Sequence, residues 1–289
     1  MNEVVYLSGS LIPLSQASIS VLDYGFLYGF GLFETMRAYG GYVFRLDNHL
    51  RRLARSAEIL GLPIGEWDLK GAVMDTIQAN ELSEARIRLT VSMGEGAMVP
   101  DPSTCGKPTV VVVAQPYQPY PEAVYQKGFR SVVSSIRRNS QSPVPRFKSV
   151  NFLESMLAKQ EARAAGVDDA LFLNDRSLLA EASTSNIFLA TNGGLKTPGL
   201  ESGILPGTTR EAILELASAL GINVHEQEMG LDELRQAEEA FLTNAMVEVM
   251  PLTEVEGRPV GSGMPGPLTK RLIVAYKELV LQEIGKRAR

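Results

Sequence analysis

Cysteine and histidine are scarce in this sequence of 289 residues, which contains one cysteine, Cys105, and two histidines, His49 and His225. A single cysteine cannot form a disulfide within the chain, and so few sulfur and imidazole ligands cannot build a structural zinc site. We therefore expect no bound metal. Because free thiols persist in reducing compartments, we expect a cytoplasmic protein.

An excess of basic residues is also missing. Lysine and arginine together number 28 against 33 aspartate and glutamate residues, which gives a formal net charge of -5. Proteins that bind a nucleic acid backbone carry concentrated positive charge, and this composition lacks it. We expect no nucleic acid partner, and small molecules are the favoured ligands.

Long hydrophobic runs are absent, although 45% of the residues are hydrophobic. The most apolar run, Val110–Ala114, is too short to span a bilayer, and Met1–Ser10 lacks both the basic and the apolar region of an export signal. We expect a soluble protein without a membrane partner. Its length suits two compact lobes.

Apolar residues recur with both helical and strand periods, so we predict an α+β or mixed α/β fold. A helical pattern opens at Asp47 and stops at Gly61. Strict alternation over Arg86–Val91 predicts a strand that places Arg86 and Arg88 on one face.

A domain boundary is predicted where the apolar run at 110–114 leads into several prolines, which cannot continue a sheet. We assign 1–117 to a small amino-terminal α/β domain, 118–128 to a linker and 129–289 to a larger carboxy-terminal domain. In the last of these we expect strands at 129–136, 170–173 and 186–190, and helices at 151–165, from Thr208 onward and at 268–284.

Lys148 and Glu181 lie in contexts typical of a pyridoxal phosphate site. Lys148 lies where a proline-broken loop meets an apolar segment, so its amine can be buried, which lowers the pKa of an amine and frees it as a nucleophile. Such a lysine can hold the cofactor as a Schiff base, and a buried Glu181 can keep the pyridine nitrogen protonated. The alternatives are a solvated lysine and a strand-end carboxylate.

Gly207, Thr208 and Thr209 form the predicted start of a helix, where exposed amides, hydroxyls and the helix dipole suit a phosphate. Thr208 and Glu211 have the spacing of a capping box, so a well-capped helix is the alternative. Arg52 can supply the charge partner of the phosphate, or it can belong to a solvated helix face.

Arg86 and Arg88 can hold a substrate carboxylate, or they can be edge-strand charges that discourage aggregation. The sequence favours neither hypothesis over the other. Gly261–Gly266 matches the dinucleotide fingerprint G-x-G-x-x-G. No apolar strand leads directly into it and no acidic residue follows at the required distance, so we predict only a loop before the last helix.

Seven short motifs are spread along nearly the whole chain. In chain order they are Asp23–Phe26, Phe33–Arg37, His49 with Arg52, Lys148–Asn151, Glu181 with Ser185 and Asn186, Gly207–Arg210 and Thr243–Ala245. Together they resemble the motifs of the class IV pyridoxal phosphate enzymes. That family includes branched-chain aminotransferases, D-amino acid aminotransferases, (R)-amine transaminases and 4-amino-4-deoxychorismate lyases.

The resemblance implies a fold-type IV enzyme that forms a homodimer or a higher homo-oligomer. Its small amino-terminal α/β lobe and larger carboxy-terminal lobe, with a barrel-like sheet, would hold pyridoxal 5'-phosphate between them. Lys148 would be the Schiff-base lysine and general acid/base. The implied cofactor-binding residues are Lys148, Arg52, Glu181, Ser185, Asn186, Gly207, Thr208, Thr209, Asn244 and Ala245, and the implied substrate residues are Phe33, Arg86, Arg88 and Met246.

Several positions bear on the choice of family member. Phe152 and Phe33 stand where branched-chain aminotransferases have tyrosines, one at the cofactor and one at the substrate. The segment Met93–Met98 lacks the arginine and histidine of a carboxylate trap in D-amino acid aminotransferases. Thr35 matches a catalytic threonine that deoxychorismate lyases use beside the lysine; the alternative is an inward β-branched strand residue.

The leading hypothesis is an aminotransferase that moves an amino group between an amino acid, branched-chain or glutamate, and a 2-oxo acid. The alternative is a lyase that splits 4-amino-4-deoxychorismate into 4-aminobenzoate and pyruvate, with Lys148 and Thr35 sharing the proton transfers. A binding protein that keeps the fold without the chemistry is disfavoured by the presence of both Lys148 and Glu181.

Overall fold

The computed structural model describes residues 3–287, which form two compact units. The amino-terminal unit contains the chain up to Gln118 together with Phe147–Asn151, and the carboxy-terminal unit contains Pro119–Arg146 and the chain from Phe152 onward. The domains assigned from the sequence to 1–117 and 129–289 also include terminal residues outside the described range. The two divisions differ at 147–151 and at the predicted linker 118–128, of which residues 119–128 belong to the carboxy-terminal unit and include a helix at Glu122–Lys127.

The amino-terminal unit is built on one six-stranded sheet with the order β2-β1-β6-β5-β3-β4, in which neighbouring strands are antiparallel. The strands are β1 (Val4–Leu7), β2 (Ser10–Pro13), β3 (Gly31–Tyr39), β4 (Tyr42–Val43), β5 (Ala85–Ser92) and β6 (Thr109–Pro116). The helices are α1 (Tyr24–Tyr28), α2 (Leu46–Leu60) and α3 (Leu69–Ala79).

The carboxy-terminal unit is built on a curled nine-stranded sheet with the order β12-β11-β10-β13-β14-β7-β8-β9, and β15 pairs with β14. Its strands are β7 (Phe129–Arg138), β8 (Asp169–Asn174), β9 (Leu179–Ala182), β10 (Asn186–Thr191), β11 (Gly194–Thr197), β12 (Val224–Glu226), β13 (Glu239–Asn244), β14 (Glu248–Val255) and β15 (Arg258–Pro259). Its helices are α4 (Glu122–Lys127), α5 (Leu153–Ala164), α6 (Thr208–Ala219), α7 (Leu231–Gln236) and α8 (Pro267–Arg287). Among the described residues, no helix combines the length and the apolar character needed to cross a membrane.

The predicted mixture of strands and helices is confirmed, and β5 shows why the sequence pattern was informative. Ile87, Leu89 and Val91 are fully buried in the core of the amino-terminal unit, whereas Arg86 is exposed and Arg88 is half-buried. Because side chains alternate across a strand, a strand with one buried face has an apolar residue at every second position of its sequence.

Helix α2 begins at Leu46 and ends at Leu60, and its C-cap is Gly61, whose φ of 65° is left-handed and suits a residue without a side chain. The capping box suggested by Thr208 and Glu211 is wrong, because the residue that caps α6 is Gly207 and Thr208 is the first residue inside the helix. The G-x-G-x-x-G match at 261–266 lies in a loop before α8, as predicted.

The segment that carries Lys148 pairs with the start of β3. The Phe33 N–H donates to the Lys148 carbonyl at 2.8 Å, and the Val150 N–H donates to the Gly31 carbonyl at 2.9 Å. These main-chain bonds explain why 147–151 groups with the amino-terminal unit. The sequence assigned the segment to the carboxy-terminal domain, since hydrogen bonds between distant parts of a chain leave no periodic signal.

Candidate active site

Lys148 is half-buried, and its Nζ lies 4.6 Å from the centroid of the Phe33 ring. Phe33 itself is buried, with only 3% of its surface exposed. The main-chain bonds of the lysine segment to β3 hold the Lys148 backbone in place. A lysine ammonium against the face of an aromatic ring is attracted to the ring and loses part of its hydration. The Lys148 side chain is therefore held against a buried ring and is not a fully solvated lysine.

The Phe33 ring has a second cationic neighbour. The Arg88 Cζ lies 3.8 Å from the ring centroid, and the Arg88 Nε donates to the Thr90 Oγ1 at 3.2 Å. Burial lowers the pKa of Arg88, and the charge of Arg86 lowers it further, yet an arginine stays charged near neutrality. Arg88 is thus a fixed, partly desolvated cation, whereas Arg86 is exposed. Of the two predicted carboxylate-binding arginines, the structure brings only Arg88 to the ring that Lys148 contacts.

Thr35 lies on β3 directly opposite Arg88 on β5 and is half-buried. It is two residues from Phe33, so the two side chains project from the same face of the sheet. The predicted catalytic pair Thr35 and Lys148 therefore belongs to one unit, and Thr35 lies on the sheet face from which the Phe33 ring projects.

Arg52 does not belong to a solvated helix face. Its Nε donates to the Glu34 Oε1 at 2.8 Å and its Nη2 donates to the Glu34 Oε2 at 2.5 Å. Glu34 is fully buried and also lies 2.7 Å from the His49 Nδ1. Burial alone would raise the pKa of Glu34, but the charge of Arg52 and the hydrogen bond with His49 outweigh it and lower the pKa to about 2.

The protonation of His49 follows from these contacts. An ionised carboxylate only accepts hydrogen bonds, so the Nδ1 of His49 carries the proton that lies toward Glu34. Burial lowers the pKa of His49, although its bond with Glu34 acts in the opposite sense. The ring is therefore neutral at pH 7, and the cluster of Glu34, His49 and Arg52 contains one negative and one positive charge.

In the carboxy-terminal unit, Glu181 lies on β9 with 7% of its surface exposed, which confirms the expected burial. Its Oε2 accepts a hydrogen bond from the Leu205 N–H at 3.1 Å and lies 3.4 Å from the Asn186 Nδ2. Its Oε1 lies 3.5 Å from the Arg138 Nη2. These donors surround the carboxylate and restrain its orientation.

Helix α6 begins with Thr208 and Thr209, and both side chains are buried. Its cap, Gly207, has no room for a side chain, because a Cβ there would lie 2.0 Å from the Asn186 Oδ1. Asn186 is held by a bond from its Nδ2 to the Leu205 carbonyl at 2.9 Å. The helix thus presents its positive end with two hydroxyls beside it, an arrangement that suits a phosphate.

The turn between β13 and β14 is held by the side chain of Asn244. Its Oδ1 accepts hydrogen bonds from the N–H groups of Met246 at 2.7 Å and Val247 at 2.8 Å. Its Nδ2 donates to the Ser185 Oγ at 2.8 Å. Asn244 and Ser185 thereby brace the turn that carries Ala245 and the half-buried Met246.

The structure groups the predicted residues by unit. Lys148, Phe33, Arg88, Thr35 and Arg52 belong to the amino-terminal unit, and Glu181, Ser185, Asn186, Gly207, Thr208, Thr209, Asn244, Ala245 and Met246 belong to the carboxy-terminal unit. Sequence reasoning gave no role to Glu34 or Arg138. The sequence could have indicated a role for Glu34, because a charged residue stands between Leu32 and Met36 on the apolar face of a strand.

Comparisons with known proteins agree on one family. The chain matches the family described as class IV amino-transferases over residues 31–255. A Methanocaldococcus jannaschii protein, provisionally named a branched-chain-amino-acid aminotransferase, is 39% identical over 95% of this chain and 96% of its own. The D-alanine aminotransferase of Bacillus licheniformis is 31% identical over 98% of this chain and 99% of its own. The crystal structure of the Escherichia coli branched-chain amino acid aminotransferase has a TM-score of 0.92 and 32% identity over 96% of this chain and 95% of its own.

Proposed function

The chain belongs to the class IV aminotransferase family and is a pyridoxal phosphate-dependent aminotransferase, and on that premise we propose that its amino donors are branched-chain L-amino acids and L-glutamate. The fold-type IV resemblance predicted from the motifs is confirmed. The donor proposal draws on the names of the branched-chain relatives. It also draws on one observation, the ring of Phe33 with the amine of Lys148 and the guanidinium of Arg88 against it.

That ring supports both donor types. Its apolar surface suits a branched hydrocarbon side chain. Arg88 supplies a charge for a carboxylate, either the one common to all amino acids or the second one of glutamate. Met246 is proposed to line the substrate side as well. Arg86 is exposed and is proposed to add only to the positive field.

The residues present fit pyridoxal 5'-phosphate, which when bound supplies an electron sink for bonds at the substrate α-carbon. The amine of Lys148 would hold the group and then carry a proton from the substrate α-carbon. The carboxylate of Glu181 would accept a hydrogen bond from the pyridine N–H. Gly207, Thr208 and Thr209, the backbone of Asn244 and Ala245, and the guanidinium of Arg52 would bind the phosphate.

Ser185 and Asn186 are proposed to hold other cofactor-binding groups in place. Ser185 accepts a hydrogen bond from Asn244 at 2.8 Å and so supports the turn that offers its backbone to the phosphate. Asn186 bonds Leu205 and lies beside Glu181, so it steadies the carboxylate.

We further propose that the enzyme works as a homodimer in the cytoplasm. Phe26 and Met98 in the amino-terminal unit are 74% and 76% exposed, and we propose that these apolar side chains belong to the interface between copies of the chain. The single cysteine agrees with a reducing compartment.

The test is a half-reaction with single donors. Cofactor-loaded protein is mixed in turn with L-leucine, L-glutamate, L-alanine, D-alanine and an (R)-amine, and the 2-oxo product and the pyridoxamine form of the cofactor are measured together. We expect L-leucine and L-glutamate to give one 2-oxo acid per cofactor. Reaction with D-alanine alone would contradict the proposed donors. Lys148→Ala should abolish the product, and Lys107→Ala, at an exposed lysine of the same unit, should not.

A lyase that releases pyruvate from 4-amino-4-deoxychorismate is the second candidate, because Thr35 shares a sheet face with Phe33, whose ring Lys148 contacts. Failure of every donor, together with pyruvate release from that compound, would favour the lyase. Thr35→Ala would then remove most of the pyruvate release, whereas Thr35→Ser would keep it.

A further inference from the structure

Glu34 is a charged side chain on the apolar face of β3. Its neighbours on that face, Leu32 and Met36, belong to the hydrophobic core of the amino-terminal unit. A carboxylate in such surroundings is unfavourable unless it is paired and hydrogen-bonded. What Glu34 does is therefore indicated by its partners, which both come from α2.

The pairing with Arg52 is side-on. The two oxygens of Glu34 engage the Nε and the Nη2 of the guanidinium at 2.8 Å and 2.5 Å. A guanidinium is planar and carries five N–H groups in a rigid fork, so two bonds along one edge fix the direction of the remaining edge. Glu34 thus determines where the rest of the Arg52 guanidinium points.

His49 completes the pairing without adding charge. It lies one helical turn before Arg52 on α2, and its Nδ1 donates to the Glu34 Oε2 at 2.7 Å. A lysine or arginine at this place would leave the buried cluster with an excess positive charge. A neutral imidazole gives Glu34 a third hydrogen bond and limits its rotation.

We propose that Glu34 is a positioning residue for the cofactor phosphate, which it serves by orienting the Arg52 guanidinium while His49 orients Glu34. The inference rests on the proposed function, which assigns Arg52 to the phosphate. It extends that assignment to two side chains that touch neither the substrate nor the cofactor.

The experiment compares two ligands that differ only in the phosphate, pyridoxamine 5'-phosphate and pyridoxamine. Neither has an aldehyde to bond with Lys148, so equilibrium dialysis of the apo-protein measures non-covalent binding. Glu34→Gln should raise the Kd of the phosphorylated ligand about tenfold and that of pyridoxamine less than about twofold, since only a charge-assisted contact to phosphate is weakened. A merely structural role would raise both Kd values by the same factor.

Two arginine variants separate the inference from its premise. Arg52→Gln should raise the Kd of pyridoxamine 5'-phosphate at least as much as Glu34→Gln, and the double variant should be no weaker than Arg52→Gln alone. Arg51→Gln, at the exposed neighbour on the same helix, is the matched control and should change neither Kd. An effect of Arg52→Gln without an effect of Glu34→Gln overturns the positioning role only. No effect of Arg52→Gln overturns the phosphate assignment and the inference with it.

A milder pair of variants decides the question if Glu34→Gln does not fold. The amide nitrogen of His49→Asn stands near the place of the imidazole Nδ1 and keeps a donor toward Glu34, whereas His49→Ala removes it. We expect the ratio of the two Kd values in His49→Asn to match the wild type. In His49→Ala the Kd of pyridoxamine 5'-phosphate, relative to that of pyridoxamine, should rise about threefold. Equal ratios in all three proteins would overturn the inference.

Discussion

The guanidinium of Arg138 lies against the buried carboxylate of Glu181, with 3.5 Å between the Arg138 Nη2 and the Glu181 Oε1. Arg138 also pairs with Glu154 at 2.6 Å and covers the ring of Phe172, with its Cζ 4.1 Å from the ring centroid. Only 12% of the Arg138 side chain is exposed. A desolvated cation at this distance stabilises the negative charge of Glu181 and restrains its orientation.

Arg138→Gln should therefore leave the Glu181 carboxylate less well oriented toward the pyridine N–H. We expect kcat to fall about tenfold, which corresponds to about 1.4 kcal/mol, with little change in KM for the amino donor. Glu154→Gln is the matched control, because it removes the other partner of Arg138 at a position where 53% of the side chain is exposed. Steady-state kinetics of the two variants check the prediction, and equal losses in both would contradict it.

Arg88 and Arg86 lie on the same face of β5 but differ in burial, so they form a natural pair of variants. Arg88→Gln should raise KM for L-glutamate about tenfold to a hundredfold, because a hydrogen bond to a charged group contributes about 1.5–3 kcal/mol. Arg86→Gln should leave KM nearly unchanged. If Arg88→Gln raises KM less for L-leucine than for L-glutamate, Arg88 contacts the second carboxylate of glutamate. An equal rise in KM for both donors would indicate that it contacts the α-carboxylate.

The cluster around Glu34 predicts how stability depends on pH. The pKa of Glu34 is lowered to about 2 from an ordinary value of 4.5, so its contribution is present above pH 4.5 and is lost as the pH falls toward 2. A shift of this size corresponds to about 3 kcal/mol of unfolding free energy. The lowered pKa of His49 reduces stability at a higher pH than Glu34 does. A buried ring that stays neutral loses its contribution to the unfolding free energy as the pH falls below 6.5.

Urea unfolding at several pH values between 3 and 8 checks this prediction. The wild type should lose stability below pH 6.5 and again below pH 4.5. His49→Asn should lack the first loss and keep the second. A wild-type protein whose unfolding free energy is the same at pH 7 and pH 3 would contradict the assignment of charges in the cluster.

Structural features that depend on neighbouring residues could be predicted from the sequence. The alternation in β5 and the end of α2 at Gly61 depend on neighbouring residues, and both were predicted correctly. Helix α6 begins at Thr208 as predicted, but its cap is Gly207, so the capping box suggested by the spacing of Thr208 and Glu211 is wrong.

Contacts between distant segments could not be predicted in the same way. The pairing of the Lys148 segment with β3 rests on main-chain hydrogen bonds that any residue can form. The bond between Glu34 and Arg52 joins a strand to a helix across 18 residues, and nothing in the sequence identifies Arg52 as the partner of Glu34. The candidate site residues were found from motifs, whereas the groups that orient them required the fold.

The most direct measurement is borohydride reduction of the cofactor-loaded protein, followed by proteolysis and mass spectrometry of the peptides. Reduction fixes the cofactor covalently to the amine that holds it. The predicted result is a single pyridoxyl phosphate label on Lys148, lost in Lys148→Ala and kept in Lys107→Ala. A label on another lysine, or a protein that takes up no label after loading, would contradict the assignment of Lys148 as the lysine that binds the cofactor.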